Sequence, residues 1–309
     1  MGPDQGEPLL YATSRRFLFA AAFAGATVAM AGAQDMADRP DFPTTEFAEG
    51  ADRTSVTVGE LTATITMVRR ADIDPDADMP LLTVTVGGAP VLDVPGIVSG
   101  FDFPLAEASI AEIDPGNHHR EVLFSSYSGG AHCCSTVIVA EEVGDKWVAV
   151  PIGEFDGDGN LLDDLDGDGL AEIATADNRF LYKFDCYACS AAPLIIFTVR
   201  GGAAVEVSSE PRYLAAHRDW LDEIEQAVEP AERWASPGFL AGWLAGKARV
   251  GGGAAAWAEI NARWDFAEDP GEQTCLTGGE PETCAKRALK VLSFPERLKL
   301  FLDETGYRF

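Results

Sequence analysis

Basic residues are scarce in this chain. Lys and Arg number 23 against 50 Asp and Glu, giving a net charge of −27. That sign opposes nucleic acid and anionic membrane surfaces as partners, and suits a protein in a cation-rich compartment. Long apolar runs are also missing. The run from Phe17 to about Met30 is too short and too rich in Ala and Gly for a membrane span. No glycine-rich phosphate loop, HExxH or CxxCH occurs. Ser125, Ser126 and Ser128 lack the GxSxG arrangement of a nucleophile elbow. There is no low-complexity tract and no tandem repeat beyond a doubled acidic frame. A base, a nucleophile and an oxyanion donor that could be placed together are not found, so the sequence leans away from an enzyme.

What is present is an ordinary globular balance, 47% hydrophobic and 24% charged. The length of 309 residues allows two domains. Ser14-Arg15-Arg16-Phe17-Leu18-Phe19 precedes the apolar run, and Ala31-Gly32-Ala33 fits an A-x-A cleavage site. Residues 1–33 are therefore expected to be an export signal, with a mature chain starting at Gln34. Two arginines followed by large apolar residues resemble the bacterial twin-arginine signal; an ordinary secretory signal is the alternative. No cysteine follows the cleavage site, which argues against a lipoprotein.

An exported chain meets an oxidising compartment, so the six cysteines are expected to be disulfides. Six cysteines allow 15 pairings. Local spacing favours Cys275 with Cys284, closing a Gly/Pro-rich loop. That leaves Cys133-Cys134 and Cys186-x-x-Cys189 to join each other, or to form a four-thiolate zinc site.

Residues 34–52 are polar with two prolines and read as a disordered linker. Period-2 patterns then set in at Val56-x-Val58 and at Leu61-x-Ala63-x-Ile65-x-Met67. A hairpin is expected from Leu82 to Val94 around Gly87-Gly88, and further strands at 105–113, 121–127, 135–140, 147–152, 173–175, 180–184, 194–199 and 203–207. Composition switches near residue 209. Ser209 reads as an N-cap, and Leu214, His217, Leu221, Ile224 and Val228 share one helical face. Helices are expected after Ser236-Pro237, over 254–264, over 283–292, and after the capping box Ser293-Phe294-Pro295-Glu296. Tryptophans 220, 234, 243, 257 and 264 sit at helical spacing and read as core. The predicted class is α+β: a β-rich domain of antiparallel sheets over 53–208 and a helical domain over 209–309.

The chemistry concentrates in Asp156 to Glu172, DGDGNLLDDLDGDGLAE. Asp164, Asp166, Asp168 and Glu172 occupy positions 1, 3, 5 and 9 of a loop with Gly169 at position 6. A calcium ion wants about six to eight oxygens, and the glycine allows the sharp turn. The Leu170 carbonyl at position 7 would add another ligand. Thr175 stands where an EF-hand has its bidentate Glu, so the match covers only the start of such a loop. Asp156, Asp158 and Asn160 form a weaker frame that shares Asp164, giving one extended site or two adjacent ones. Carboxylates gathered this closely repel unless a cation joins them. Oxygen-only ligands select a hard ion, Ca2+, over zinc or copper.

Asp164 to Ile173, DLDGDGLAEI, resembles the calcium loop of FG-GAP and VCBS-type bacterial repeat proteins. Tyr127 to Cys134, YSGGAHCC, is similar to a segment upstream of such loops in secreted, largely uncharacterised bacterial proteins. The resemblance covers roughly residues 120–200 and implies calcium binding, with propeller-blade-like sheets as one possible architecture. FG-GAP propellers carry many repeats, and this chain carries one good loop. The expected function is an exported calcium-binding structural or interaction module for a protein or polysaccharide ligand. The alternative is a periplasmic hydrolase that uses the loop's metal or the His132/Cys133 region. His118-His119, adjacent and just after a DPGN turn, reads as exposed turn.

Overall fold

Apolar alternation in the first two thirds of the chain builds three antiparallel sheets that lie face to face. The computed structural model describes residues 42–47, 51–70, 72–74, 77–99, 105–130, 133–156 and 161–309. In chain order the strands are β1 Thr44–Phe47, β2 Arg53–Val58, β3 Leu61–Arg69, β4 Asp78–Val86, β5 Ala89–Pro95, β6 Leu105–Ala111, β7 Glu121–Tyr127, β8 Cys133–Val143, β9 Lys146–Asp156, β10 Leu162–Asp163, β11 Glu172–Ala176, β12 Leu194–Arg200 and β13 Ala203–Glu206. Helices α1 Leu214–Gln226, α2 Pro237–Arg249 and α3 Gly253–Arg263 follow. Then come the short pair β14 Glu272–Cys275 and β15 Leu289–Leu292, and helix α4 Phe294–Thr305. The class is α+β, as the sequence predicts. Pro40–Phe309 forms one compact unit.

The central layer is the five-stranded sheet β1-β6-β7-β8-β9. Successive strand residues point to opposite faces, and here both faces are apolar. Val122 and Phe124 pack with Ile65, Leu82 and Val84 of the β2-β3-β4-β5 meander. Leu123, Val137 and Val139 pack the other way, with Ile173 and Val199 of the β10-β11-β12-β13 sheet. The outer face of that third sheet is covered in turn: Leu194, Ile196 and Val207 meet Tyr213 and, at the edge, Trp220. A separate core of Phe239, Leu244, Ile260, Phe294, Leu298 and Leu302 holds α2, α3 and α4 together. The five tryptophans named above all lie in or against this core.

Several elements differ from expectation. Thr44–Phe47, within the segment read as a disordered linker, is a strand paired along its length with β6. Residues 180–184 are not a strand. Asn178–Phe180 is a 3-10 turn capped by the Asp177 side chain. Phe180 and Phe184 leave the sheets because each turns its ring edge-on to Phe301 in the helical core. Helix α1 starts through a 3-10 turn, Pro211–Tyr213, with Glu210 rather than Ser209 at the cap position and no side-chain cap bond. The helix expected over 283–292 is not formed: Pro281–Thr283 is a 3-10 turn and only Leu289–Leu292 is regular, as β15, because Cys275 is bonded to Cys284 and pairs with Leu289 across the ladder. The capping box on α4 is present as read.

The cysteine pairing also needs correction. Cys275–Cys284 is bonded as expected, but Cys186 is bonded to Cys189 and not to the Cys133-Cys134 pair. The tight turn Tyr187–Cys189 brings the two together within three residues. With both of its sulfurs in a disulfide, the CxxC pair supplies no thiolates to the four-thiolate zinc site. No free cysteine occurs among the described residues. Among them, too, no helix is long and apolar enough to cross a membrane.

Candidate metal centre

The acidic loop joins β10 to β11 at the edge of the third sheet. Both ends are pinned to backbone. The Ala171 N–H donates to the Glu112 carbonyl at 2.7 Å, and the Ala174 N–H to the Leu161 carbonyl at 2.8 Å. Between them the chain winds around one side chain. Asp164 Oδ1 accepts from the Gly167 and Asp168 N–H groups at 2.9 and 3.1 Å, and Oδ2 accepts from Gly169 at 3.0 Å. Winding this tightly requires left-handed backbone at Gly167 (φ 76) and Gly169 (φ 88), which side chains with a Cβ rarely adopt. Asp166 Oδ1 then accepts from Asp168 N–H, and Asp168 Oδ1 from Leu170 N–H.

Glu172 closes the site from β11. It is 2% exposed, and accepts from the Leu165 N–H and the Tyr213 hydroxyl at 3.0 Å each. Burial raises its pKa, and the Asp166 charge adds to the rise; the two hydrogen bonds and Arg212 pull the other way. Tyr213 is raised as well, by burial first and by the Glu172 charge. Asp164, Asp166 and Glu172 each present an oxygen within 4.8 Å of the others. Asp168 stands at the rim, outside that triad. Arg212 Nη1 bridges Asp166 and Asp168 at 3.2 and 3.3 Å, and its Nε holds Glu210 at 2.9 Å.

The donor chemistry fits a hard cation. Every candidate side-chain ligand is a carboxylate, and Asp164 Oδ2 and the two Glu172 oxygens, each accepting one of the hydrogen bonds above, keep lone-pair capacity. The backbone amides that orient Asp164, Asp166 and Asp168 come from the loop itself. Of the supplementary frame, Asp156 ends β9 and lies outside the triad; its N–H reaches Asn178 Oδ1 at 3.4 Å. Asp158 and Asn160 lie outside the described residues, as does His132. Leu170 takes part through its N–H, and its carbonyl makes no described bond.

The other flagged residues have structural partners. His119 Nδ1 is 2.9 Å from Glu142 Oε2, which also receives the His118 N–H, and the His119 ring lies against Trp147. The hydrogen bond from His119 lowers the Glu142 pKa. Ser126 is buried, and its Oγ accepts from Ile97 N–H. A cleft of about 340 Å3 lies beside β9 and β12, lined by Phe155, Asp177, Asn178, Arg179, Phe197 and Glu206. Of its carboxylates, Asp177 is already engaged by Arg179 and Tyr307.

The sequence reading missed Arg212 and Tyr213. The available signal was faint: a basic and an aromatic residue in the first turn after β13, where acidic residues are the favoured choice.

Residues 217–306 match the family model described as the sll0997 C-terminal domain, a range that runs from within α1 through the end of α4. The chain is 33% identical over 253 residues to the probable thylakoid lumen protein sll0997 of Synechocystis sp., covering 81% of this chain and 74% of that protein. It is 32% identical over 204 residues to the uncharacterized protein y4bJ of Sinorhizobium fredii, covering 65% of this chain and 32% of that one. No solved structure matches.

Proposed function

We propose that this chain, which belongs to the family of the probable thylakoid lumen protein sll0997, is an exported calcium-binding module that recognises a protein or polysaccharide ligand. One observation carries the metal reading: Asp164, Asp166 and Glu172 converge to within 4.8 Å while the loop's own amides hold them in place. A buried carboxylate beside two others is costly unless a cation joins them. Calcium suits a flexible carboxylate-rich loop better than magnesium, which demands near-ideal octahedral geometry. Asp168, the Leu170 carbonyl and the Asp156–Asn160 frame complete the proposed ligand set. Export is supported by the relative's lumenal name, by Arg15-Arg16 ahead of the apolar run, and by cysteines held as disulfides. The twin-arginine route belongs to the same proposal.

Binding to the folded state alone stabilises it by about 2.7 kcal/mol at a free ligand concentration of about 100 times Kd. Melting of the mature protein should therefore rise in calcium and fall in chelator. Asp166→Ala should remove most of that response, and Asp72→Ala should not, since Asp72 is an exposed partner of Arg70. Equal melting in calcium and chelator, with no calcium copurifying, would reduce the loop to a solvated turn. N-terminal sequencing tests export separately: Gln34 is the expected first residue.

A further inference from the structure

The two described disulfides are built differently. Cys275–Cys284 spans nine positions, and Cys275 is buried in β14. Cys186–Cys189 spans three positions, and both residues are exposed. Loop-closure stabilisation grows with the number of residues enclosed, so this second bond constrains the unfolded chain least. The turn that carries it is held by other contacts. Cys189 N–H donates to the Cys186 carbonyl at 3.0 Å, Ser190 N–H to Tyr187 at 3.1 Å, and Ser190 Oγ to Cys186 at 2.9 Å. Ala191 N–H reaches the Gly238 carbonyl of α2 at 3.2 Å. The turn lies so close to α2 that a Cβ on Gly238 would stand 2.5 Å from the Cys189 carbonyl oxygen. On the other side Phe184 is locked edge-on against Phe294 and Phe301. The two sulfurs are thus kept adjacent by the fold, independently of the bond between them.

Two further features surround the pair. The Asp185 carboxylate has an oxygen within 4.8 Å of both sulfurs, and accepts from the Cys186 N–H at 2.8 Å. Tyr182, 61% exposed and in left-handed backbone (φ 59), lies 5.5 Å from the ring of Tyr187, which sits between the two cysteines. A non-glycine residue held in that conformation is strained. Here it sets an aromatic side chain at the surface against Tyr187, the residue between the two cysteines, where a polypeptide could pack.

We infer that Cys186 and Cys189 form a thiol–disulfide exchange site for a protein dithiol, with Asp185 as its proton carrier. One thiol of the partner attacks the sulfur of one cysteine as Asp185 takes its proton. The Cys186–Cys189 bond breaks, a mixed disulfide forms, and the departing cysteine sulfur receives that proton from Asp185. The partner's second thiol then attacks the partner's own sulfur in the mixed disulfide. The second cysteine leaves and takes the second proton. Two electrons and two protons pass to this chain, and the partner gains a disulfide.

The test uses the full mature chain and a reduced synthetic peptide carrying two cysteines. The native protein should oxidise about one equivalent of peptide, and mass spectrometry should find Cys186 and Cys189 reduced while Cys275–Cys284 stays closed. Cys189→Ser, offered the same peptide in its oxidised form, should trap a mixed disulfide at Cys186, because the Cys186 thiol attacks the peptide disulfide and Cys189 is no longer there to resolve it. Asp185→Asn should slow the exchange about tenfold or more and flatten its pH dependence, as expected for loss of a proton-transfer group. Cys186→Ser/Cys189→Ser should melt within a few degrees of the native chain, which separates exchange from unfolding. The inference is overturned if the pair stays closed in the folded protein, if both disulfides open together, or if Asp185→Asn leaves rate and pH profile unchanged.

Discussion

Arg212 places its guanidinium 3.2 Å from Asp166 Oδ2, across 46 residues of sequence, on the loop whose other carboxylates face each other. The protein therefore brings a positive charge of its own to the acidic loop. A guanidinium can offset the charge of Asp166 and Asp168, but it donates hydrogen bonds in a fixed plane, and here they go to Asp166, Asp168 and Glu210 rather than to the Asp164–Asp166–Glu172 triad as a whole.

That relationship gives the first prediction. Arg212→Ala should destabilise the calcium-free protein by about 0.5–1 kcal/mol, the scale of a partly exposed ion pair. The same variant should gain more from calcium than the native chain does, because the cation then carries all of the charge compensation. Differential scanning calorimetry with and without chelator would measure both effects. An unchanged calcium increment would mean that Arg212 and the ion do not share the site.

A second prediction concerns pH. Glu121 is fully buried and accepts from Ile113 N–H, Asp114 N–H and Asn117 Nδ2. Burial pushes its pKa up to about 7, against those three bonds. Folding thus raises its proton affinity above that of the unfolded chain. Its contribution to stability is present in full below the ordinary carboxyl range and is lost as pH rises toward about 7. Glu141 shifts in the same direction, by burial first. Glu121→Gln should leave stability near pH 4.5 little changed and raise it near pH 8 relative to the native chain. Urea titrations at the two pH values would check this; a constant difference between the two proteins would contradict it.

Much of the fold follows from local pattern. The alternation at Leu61, Ala63, Ile65 and Met67 is the buried face of β3, and Ser293 with Glu296 caps α4 where the sequence places the cap. The crowding of Asp164, Asp166 and Glu172 follows from alternate spacing and two glycines in left-handed backbone. What was hidden depends on distant partners. Thr44–Phe47 is short and polar, and becomes a strand because β6 offers an edge. Phe180 and Phe184 suit a strand by propensity, but Phe294 and Phe301 of α4, far along the chain, supply better surroundings for their rings. Arg212 and Tyr213 reach the acidic loop only because the third sheet ends beside it.

A third prediction rests on close approach at α2. A Cβ on Gly242 would stand 2.2 Å from the Ala191 carbonyl oxygen, a backbone atom. On Gly246 its nearest neighbour would be Leu221 Cδ1 at 3.0 Å, the far end of a flexible side chain. Both glycines lie inside a helix, where Ala is intrinsically better by roughly 1 kcal/mol. Gly242→Ala should nevertheless cost about 1–3 kcal/mol through overpacking, whereas Gly246→Ala should be near neutral or stabilising. Equal effects of the two changes in chemical denaturation would refute the role of close approach.

The final prediction concerns how the end of the chain is fastened. Asp177, 3% exposed, follows β11 directly and accepts from Arg179 N–H at 3.1 Å and Arg179 Nε at 2.8 Å. The Tyr307 hydroxyl donates to its Oδ2 at 2.9 Å from a position 130 residues later. Tyr307 is itself buried, with Arg249 stacked 4.6 Å from its ring. Burial and the Asp177 charge both push the Tyr307 pKa up, so the hydroxyl stays a donor through the neutral range. Tyr307→Phe keeps the ring and removes one hydrogen bond to a charged acceptor, a loss of about 1.5–3 kcal/mol. Asp177→Ala should cost more, because it strands the Tyr307 hydroxyl in the core and leaves Arg179 without its buried carboxylate. The double variant should cost less than the sum of the two single changes, since the interaction between the residues is counted in each. Strict additivity in a double-mutant cycle would show that Asp177 and Tyr307 stabilise the fold independently of the hydrogen bond between them.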